Sequence, residues 1–174
     1  MTRTGSFLVL LLVALPLHAQ PVKWQPYESP AGKFRAAFPG APTVRHGRRG
    51  TEIGDVVTAR YSAGDRAGAT YDITFSDYPR EGIARLSAAK LMDAVRDGLV
   101  YLAKGKLVSE KPYTLGRFAG REQEIEGADG MRYRVRLLLV ENRLYQLTAM
   151  ARPPDKAEEQ KFFGSFRLTG ATRP

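Results

Sequence analysis

Residues 122–136 read EQEIEGADGMRYRVR: three glutamates at alternate positions, a short break, then three arginines at alternate positions. Alternation with period two is the signature of a strand with two unlike faces. The break "ADG" suits a three-residue hairpin loop, a type I turn followed by a left-handed glycine that forms a bulge. With Ala128, Asp129 and Gly130 as the loop, Gly127 faces Met131, and the register sets Glu126 opposite Arg132, Glu124 opposite Arg134 and Glu122 opposite Arg136. Ile125 then meets Tyr133 and Gln123 meets Val135 on the other, mainly apolar face.

A two-residue loop would instead place the glutamates across from Met131, Tyr133 and Val135. Opposite charges across a strand pair contribute roughly 0.2–1 kcal/mol each, and the shifted register would also bury carboxylates. The three-residue loop is therefore expected. Its arginine row is expected to be a solvated, self-paired face, with an amphoteric docking surface, on which a partner exchanges one ladder for another, as the functional alternative.

Just beyond the hairpin, Leu137–Val140 is apolar at every position. A strand covered on one side only would alternate, so this one is expected to be covered on both. Working outward, "KLVSEKPYTLGRFAGREQEIEGADGMRYRVRLLLVENRLYQLTAM" reads as four strands with turns at Gly116, Ala128–Gly130 and Glu141-Asn142. Upstream, "LSAAKLMDAVRDGLVYLAKG" places Ala88, Leu91, Met92, Val95, Leu99 and Leu102 at helical spacings. Ser87 is its expected N-cap, Lys104 suits the negative end of the dipole, Gly105 is the expected left-handed stop, and Gly98 is expected to mark close packing.

Further upstream, "DVVTARYSAGDRAGATYDITFSDYP" reads as two strands around "AGDRAG", and Tyr71, Ile73 and Phe75 share a face. Phe34, Ala36 and Phe38 alternate in a short strand. After Pro153-Pro154 a short helix starts near Asp155, and "GSFRL" closes the chain as a last strand. Phe162, Phe163, Phe166 and Leu168 are the natural second cover for Leu137–Val140. The expected class is α+β: a largely antiparallel sheet, a long helix on one face and a short C-terminal helix on the other.

"MTRTGSFLVLLLVALPLHAQ" has a basic start and an apolar run from Phe7 to Leu15 broken by Pro16, the layout of a secretory signal peptide with cleavage near Ala19. The run is far short of the ~20 residues that cross a bilayer as a helix. Residues 1–19 are thus expected to be a signal peptide and 20–174 one domain, periplasmic or extracellular. With no cysteine among 174 residues, an exported chain has no disulfide to rely on.

Lys and Arg number 27 against 18 Asp and Glu, a formal net charge of +9, of which Arg3 leaves with the leader. That balance favours attraction to envelope polyanions and peripheral contact with an anionic membrane, nucleic acid being an uncommon neighbour outside the cell. "RHGRR", residues 45–49, is the densest basic cluster, and Arg45, His46, Arg48 and Arg49 are the candidate contacts for an anionic partner. The alternative is a charged edge or loop that discourages aggregation.

Chemistry is sparse. His46 is the sole histidine after the leader, too few for a His-rich or Cys-rich metal site, and no metal or cofactor is expected. No G-x-S-x-G, H-E-x-x-H, P-loop or G-x-G-x-x-G occurs. Ser87-Ala88-Ala89-Lys90 matches S-x-x-K, in which serine and lysine lie one helical turn apart, but the supporting K-T-G is missing. Arginines beside Glu122, Glu124 and Glu126 lower carboxylate pKa values and disfavour an acid role.

The segments "GKFRAAFPGAP" (32–42), "TYDITFSDYP" (70–79), "GLVYLAKGKLVSEK" (98–111), "GREQEIEG" (120–127), "ENRLYQL" (141–147) and "FFGSFRL" (162–168) together resemble small exported bacterial proteins of the PsbP-like fold group. The resemblance implies an antiparallel sheet sandwiched by helices, and a binding or assembly-support domain rather than a catalyst. It carries no catalytic residues. The expectation is therefore an exported, monomeric, non-catalytic domain that binds an envelope protein or polyanion. The alternatives are a serine hydrolase or acyl-transfer enzyme using Ser87 and Lys90, and a carrier of an apolar small molecule lined by Leu91, Val95, Leu99 and Tyr133.

Overall fold

The charged hairpin folds in the expected register. In the computed structural model, which describes residues 23–170, Glu126 stands opposite Arg132, Glu124 opposite Arg134 and Glu122 opposite Arg136, with Ile125 opposite Tyr133 and Gln123 opposite Val135. Gly130 takes the left-handed conformation (φ +78°) that the loop requires, and Gly127 donates its N–H to the Met131 carbonyl at 2.8 Å.

The elements in chain order are β1 (Gln25–Ser29), β2 (Phe34–Phe38), β3 (Thr43–Thr51), β4 (Gly54–Gly64), β5 (Thr70–Asp77), α1 (Arg80–Ala84), α2 (Ala88–Leu102), β6 (Lys106–Leu115), β7 (Phe118–Glu126), β8 (Arg132–Val140), β9 (Arg143–Ala151), α3 (Lys156–Ser165) and β10 (Arg167–Leu168). Seven strands form one antiparallel sheet in the order β3-β4-β5-β9-β8-β7-β6. A smaller sheet, β1-β2-β10, joins the two chain ends. The fold is α+β with a large antiparallel sheet, as the sequence pattern implies.

Leu137–Val140 explains the layering. Val135, Leu137 and Leu139 point to one side and pack with Leu91 and Met92 of α2. Leu138 and Val140 point to the other and join Phe34, Phe38, Tyr71, Ile73, Phe162 and Phe166 in the larger core. The strand is covered on both faces, and the second cover comes from the C-terminal aromatic residues together with the small sheet. Asp155 caps α3 by accepting the N–H groups of Ala157 and Glu158 at 2.8 and 3.1 Å.

Four expectations about α2 and the hairpin need correction. Ser87 does cap α2, accepting the Lys90 N–H at 3.2 Å, but Lys104 rather than Gly105 takes the left-handed conformation (φ +46°). Gly105 is needed for close approach: a Cβ there would sit 2.1 Å from the Glu126 carbonyl oxygen. Gly98 is not a packing glycine, because its Cβ position faces open space, and Leu102 at the end of the apolar stripe is 77% exposed. The arginine ladder is not a solvated face either, because α3 lies over Arg134 and Arg136.

The expected signal peptide falls at residues 1–19, outside the described residues. No helix among the described residues is long and apolar enough to cross a membrane.

Candidate functional site

The acidic and basic rows of β7 and β8 share one face of the sheet, and that face is half roofed by α3. Glu122 is 4% exposed, and its carboxylate accepts from Arg134 at 2.8 Å and from Arg136 at 2.6 Å, with Lys111 of β6 at 3.0 Å. Arg134 also reaches Glu159 of α3 at 3.4 Å, and the Phe163 ring lies 4.8 Å from the Arg136 guanidinium. Burial alone would raise the Glu122 pKa, but hydrogen bonds from the three cations hold it down at about 2. Burial pushes Glu159 the other way, up, because only Arg134 compensates it.

Arg134 therefore pairs with Glu122 and Glu159 rather than with Glu124, which stands opposite it and stays exposed. Register and side-chain pairing differ here because a long guanidinium reaches the diagonal neighbour as easily as the direct one. This network closes on itself under a helix, and its outer end, Arg134 and Glu159, lines a cavity of about 310 Å³.

A second network closes in the same way on the opposite face. Arg121 of β7 bridges Glu110 of β6 and Asp93 of α2, and Gln123 donates to Glu110 at 2.7 Å. These bonds fasten α2 to the sheet.

Arginines on β3 have different surroundings. The strand is an edge, and it pairs β4 without a register shift, so its side chains alternate between faces. The four sequence candidates are divided by that alternation. Arg45 and Arg49 point to the α2 side of the sheet, beyond the area α2 covers, while His46 and Arg48 point to the other side, where Arg48 meets Asp55 at 3.3 Å. They do not form one patch.

Arg45 stands directly opposite Arg60 of β4. Like charges in that position are unfavourable, and among the described residues neither Arg45 nor Arg49 has an ion-pair partner. Arg60 is held by the buried carboxylate of Asp72 on β5, which fixes one arginine while the other stays free. Thr43, Arg45, Arg60 and Ser62 together line an open cavity of about 240 Å³: two guanidinium groups flanked by two hydroxyls. Sequence reasoning found Arg45 but missed Arg60, which lies in an otherwise ordinary strand and comes beside Arg45 only through the β3–β4 register.

Ser87 and Lys90 are together at the start of α2, but the serine hydroxyl accepts the lysine backbone N–H and Lys90 itself is exposed. The arrangement is that of a helix cap. Leu91 is buried core, and Val95, Leu99 and Tyr133 pack against the same cluster.

The architecture is that of the PsbP-like fold. The solution structure of cyanobacterial PsbP (CyanoP) from Synechocystis sp. PCC 6803 superposes with a TM-score of 0.57 at 10% identity, covering 90% of this chain and 98% of that one. No protein-family model and no curated protein matches the chain.

Proposed function

We propose that this chain is an exported, non-catalytic binding domain of the cell envelope whose β3–β4 arm recognises a polyanionic surface. The observation that carries the reading is the Arg45–Arg60 cleft. The fold gains nothing by setting two guanidinium groups opposite each other on an open face, yet everywhere deeper in the sheet its arginines are matched to carboxylates. A surface with repeated negative charge relieves that repulsion, and the Ser62 hydroxyl adds a donor suited to an oxyanion, while the Thr43 hydroxyl donates to the Ser62 carbonyl at 3.2 Å. Arg49, four residues along the same face beyond Gly47, adds a further positive charge toward the strand end. The net charge of +9 supplies the long-range attraction that brings such a partner near. The PsbP-like fold agrees with a binding role in that its large sheet presents an open polar face beside α2.

The test is sedimentation with vesicles of anionic and of zwitterionic lipid over a range of salt. Each basic side chain near an anionic membrane contributes about 1 kcal/mol, so Arg45→Ala/Arg49→Ala should weaken binding by about thirtyfold at low salt and flatten the salt dependence. Equal binding by the variant and the parent would remove the arm from the account. Arg60→Ala is a poorer probe, because it strands the buried Asp72 carboxylate.

A further inference from the structure

Beside the ends of the central strands β5, β8 and β9, the β6–β7 and β8–β9 turns meet the start of β2 and the end of β10. They enclose a cavity of about 180 Å³. Four cations line it, Lys33, Arg80, Arg117 and Arg143, against two carboxylates, Asp77 and Glu141. Arg143 is spoken for: its guanidinium makes two bonds to Asp77 at 2.6 and 2.7 Å, a third to the Ala31 carbonyl at 2.8 Å, and lies 4.1 Å from the centre of the Phe75 ring. Glu141 lies 3.4 Å from Arg80. Lys33 and Arg117 remain, and among the described residues neither has a carboxylate partner.

The backbone at this cavity is held in an unusual state. Three non-glycine residues among those described have positive φ, and two of them, Lys33 (φ +51°) and Glu141 (φ +56°), line the cavity. Glu141 opens the two-residue turn between β8 and β9, with φ positive at the first loop position, where such turns take glycine. Its exposed contact with Arg80 is too weak to offset the strain of a side chain there. Lys33 is fixed from both sides. Tyr145 donates to the Gly32 carbonyl at 2.8 Å, Ser29 accepts the Gly32 N–H at 2.9 Å, and Thr169 donates to the Lys33 carbonyl at 2.8 Å. A loop held by this many bonds fixes the point from which the exposed Lys33 side chain projects, so that only the side chain's own rotamers are left to order on binding.

We propose that this cavity binds a phosphate monoester or free phosphate, with Lys33 and Arg117 as its principal ligands and Arg80 at the rim. Charge decides between ligand classes. Two cations without partners balance a dianionic phosphate, whereas a carboxylate balances only one. Phe118, Val140 and Leu168 form an apolar wall beside the basic groups, so an organic substituent on the phosphate has somewhere to lie.

The experiment is an NMR titration of the full chain at low ionic strength with inorganic phosphate, phenyl phosphate and acetate. Saturable shifts are expected at the amides of Lys33, Glu141, Asn142 and Thr169, with phosphate at least tenfold tighter than acetate. Lys33→Gly, which relieves the backbone strain while deleting the charge, and Arg117→Ala should each weaken phosphate binding by about tenfold, while Arg45→Ala should leave it unchanged. Tighter binding of phenyl phosphate than of inorganic phosphate assigns the wall to an organic substituent, and equal binding assigns the site to the free anion; both support the site. Absence of saturable shifts at these amides, equal affinity for acetate, or binding that survives in the Lys33→Gly/Arg117→Ala variant overturns it.

Discussion

The β7–β8 hairpin and the β3–β4 hairpin both carry three arginines on one strand, at alternate positions on β8 and at 45, 48 and 49 on β3, and what faces those arginines separates their roles. On β8, Arg134 and Arg136 share the nearly inaccessible carboxylate of Glu122, with α3 laid across them. On β3, Arg45 faces another arginine on an open surface. The same residue type, on a strand of an antiparallel hairpin in both cases, is structural in one and available in the other. The deciding variable is the partner strand, together with the presence or absence of a covering helix. Counting basic residues along the chain would rank the two hairpins alike; counting matched charges separates them.

The largest expected effect tests the covered hairpin. Glu122→Gln removes the charge that three cations share, and breaking a buried ion pair on one side costs about 3–5 kcal/mol. Urea unfolding should show that loss while the folded variant keeps its vesicle binding. A loss below about 1 kcal/mol would erase the distinction, since the network would then matter no more than a surface pair.

Acid should dismantle the same network in a defined window. The Glu122 pKa is lowered in the folded state to about 2, against an ordinary 4.5, so its contribution is present above pH 4.5 and is lost as pH falls through 2. A shift of that size corresponds to about 3 kcal/mol. Glu159 acts with the opposite sign. Its raised pKa means that its penalty is relieved as pH falls toward 4.5, so the network as a whole stabilises best near that pH. Stability measured from pH 7 to 2 should pass through a shallow rise before it falls. A monotonic decline beginning above pH 5 would contradict the assigned directions.

A smaller effect sharpens the comparison within a single strand. Glu124 lies two residues from Glu122 on the same face, but it is exposed, and Arg134 turns away from it. Glu124→Ala should change stability by no more than about 0.5 kcal/mol. A cost approaching that of Glu122→Gln would place the centre of the network elsewhere.

The sequence made the register of the charged hairpin legible because turn chemistry and charge pairing agree on it, and a one-residue slip would have turned every carboxylate to the other face. It also made the two-sided burial of Leu137–Val140 legible, through the absence of alternation. What it hid was the roof over Glu122. Glu159 and Phe163 come from a helix far along the chain, and nothing local to β7 marks which glutamate they will cover. β3 was legible as a charged edge but not as a divided one. Its two glycines and sparse apolar residues give no periodicity of their own, and its alternation comes from the β4 ladder. The cavity at the sheet end was the least legible, because its lining is gathered from widely separated turns. The one local trace was a glutamate where a tight turn favours glycine.

One variant probes the central contrast directly. Arg45→Glu places a carboxylate opposite Arg60 and so converts the open hairpin into a copy of the covered one. Stability in urea should rise by about 0.2–1 kcal/mol while binding to anionic vesicles falls more steeply than in Arg45→Ala/Arg49→Ala. A variant that is less stable than the parent, and still binds those vesicles as well, would contradict that contrast.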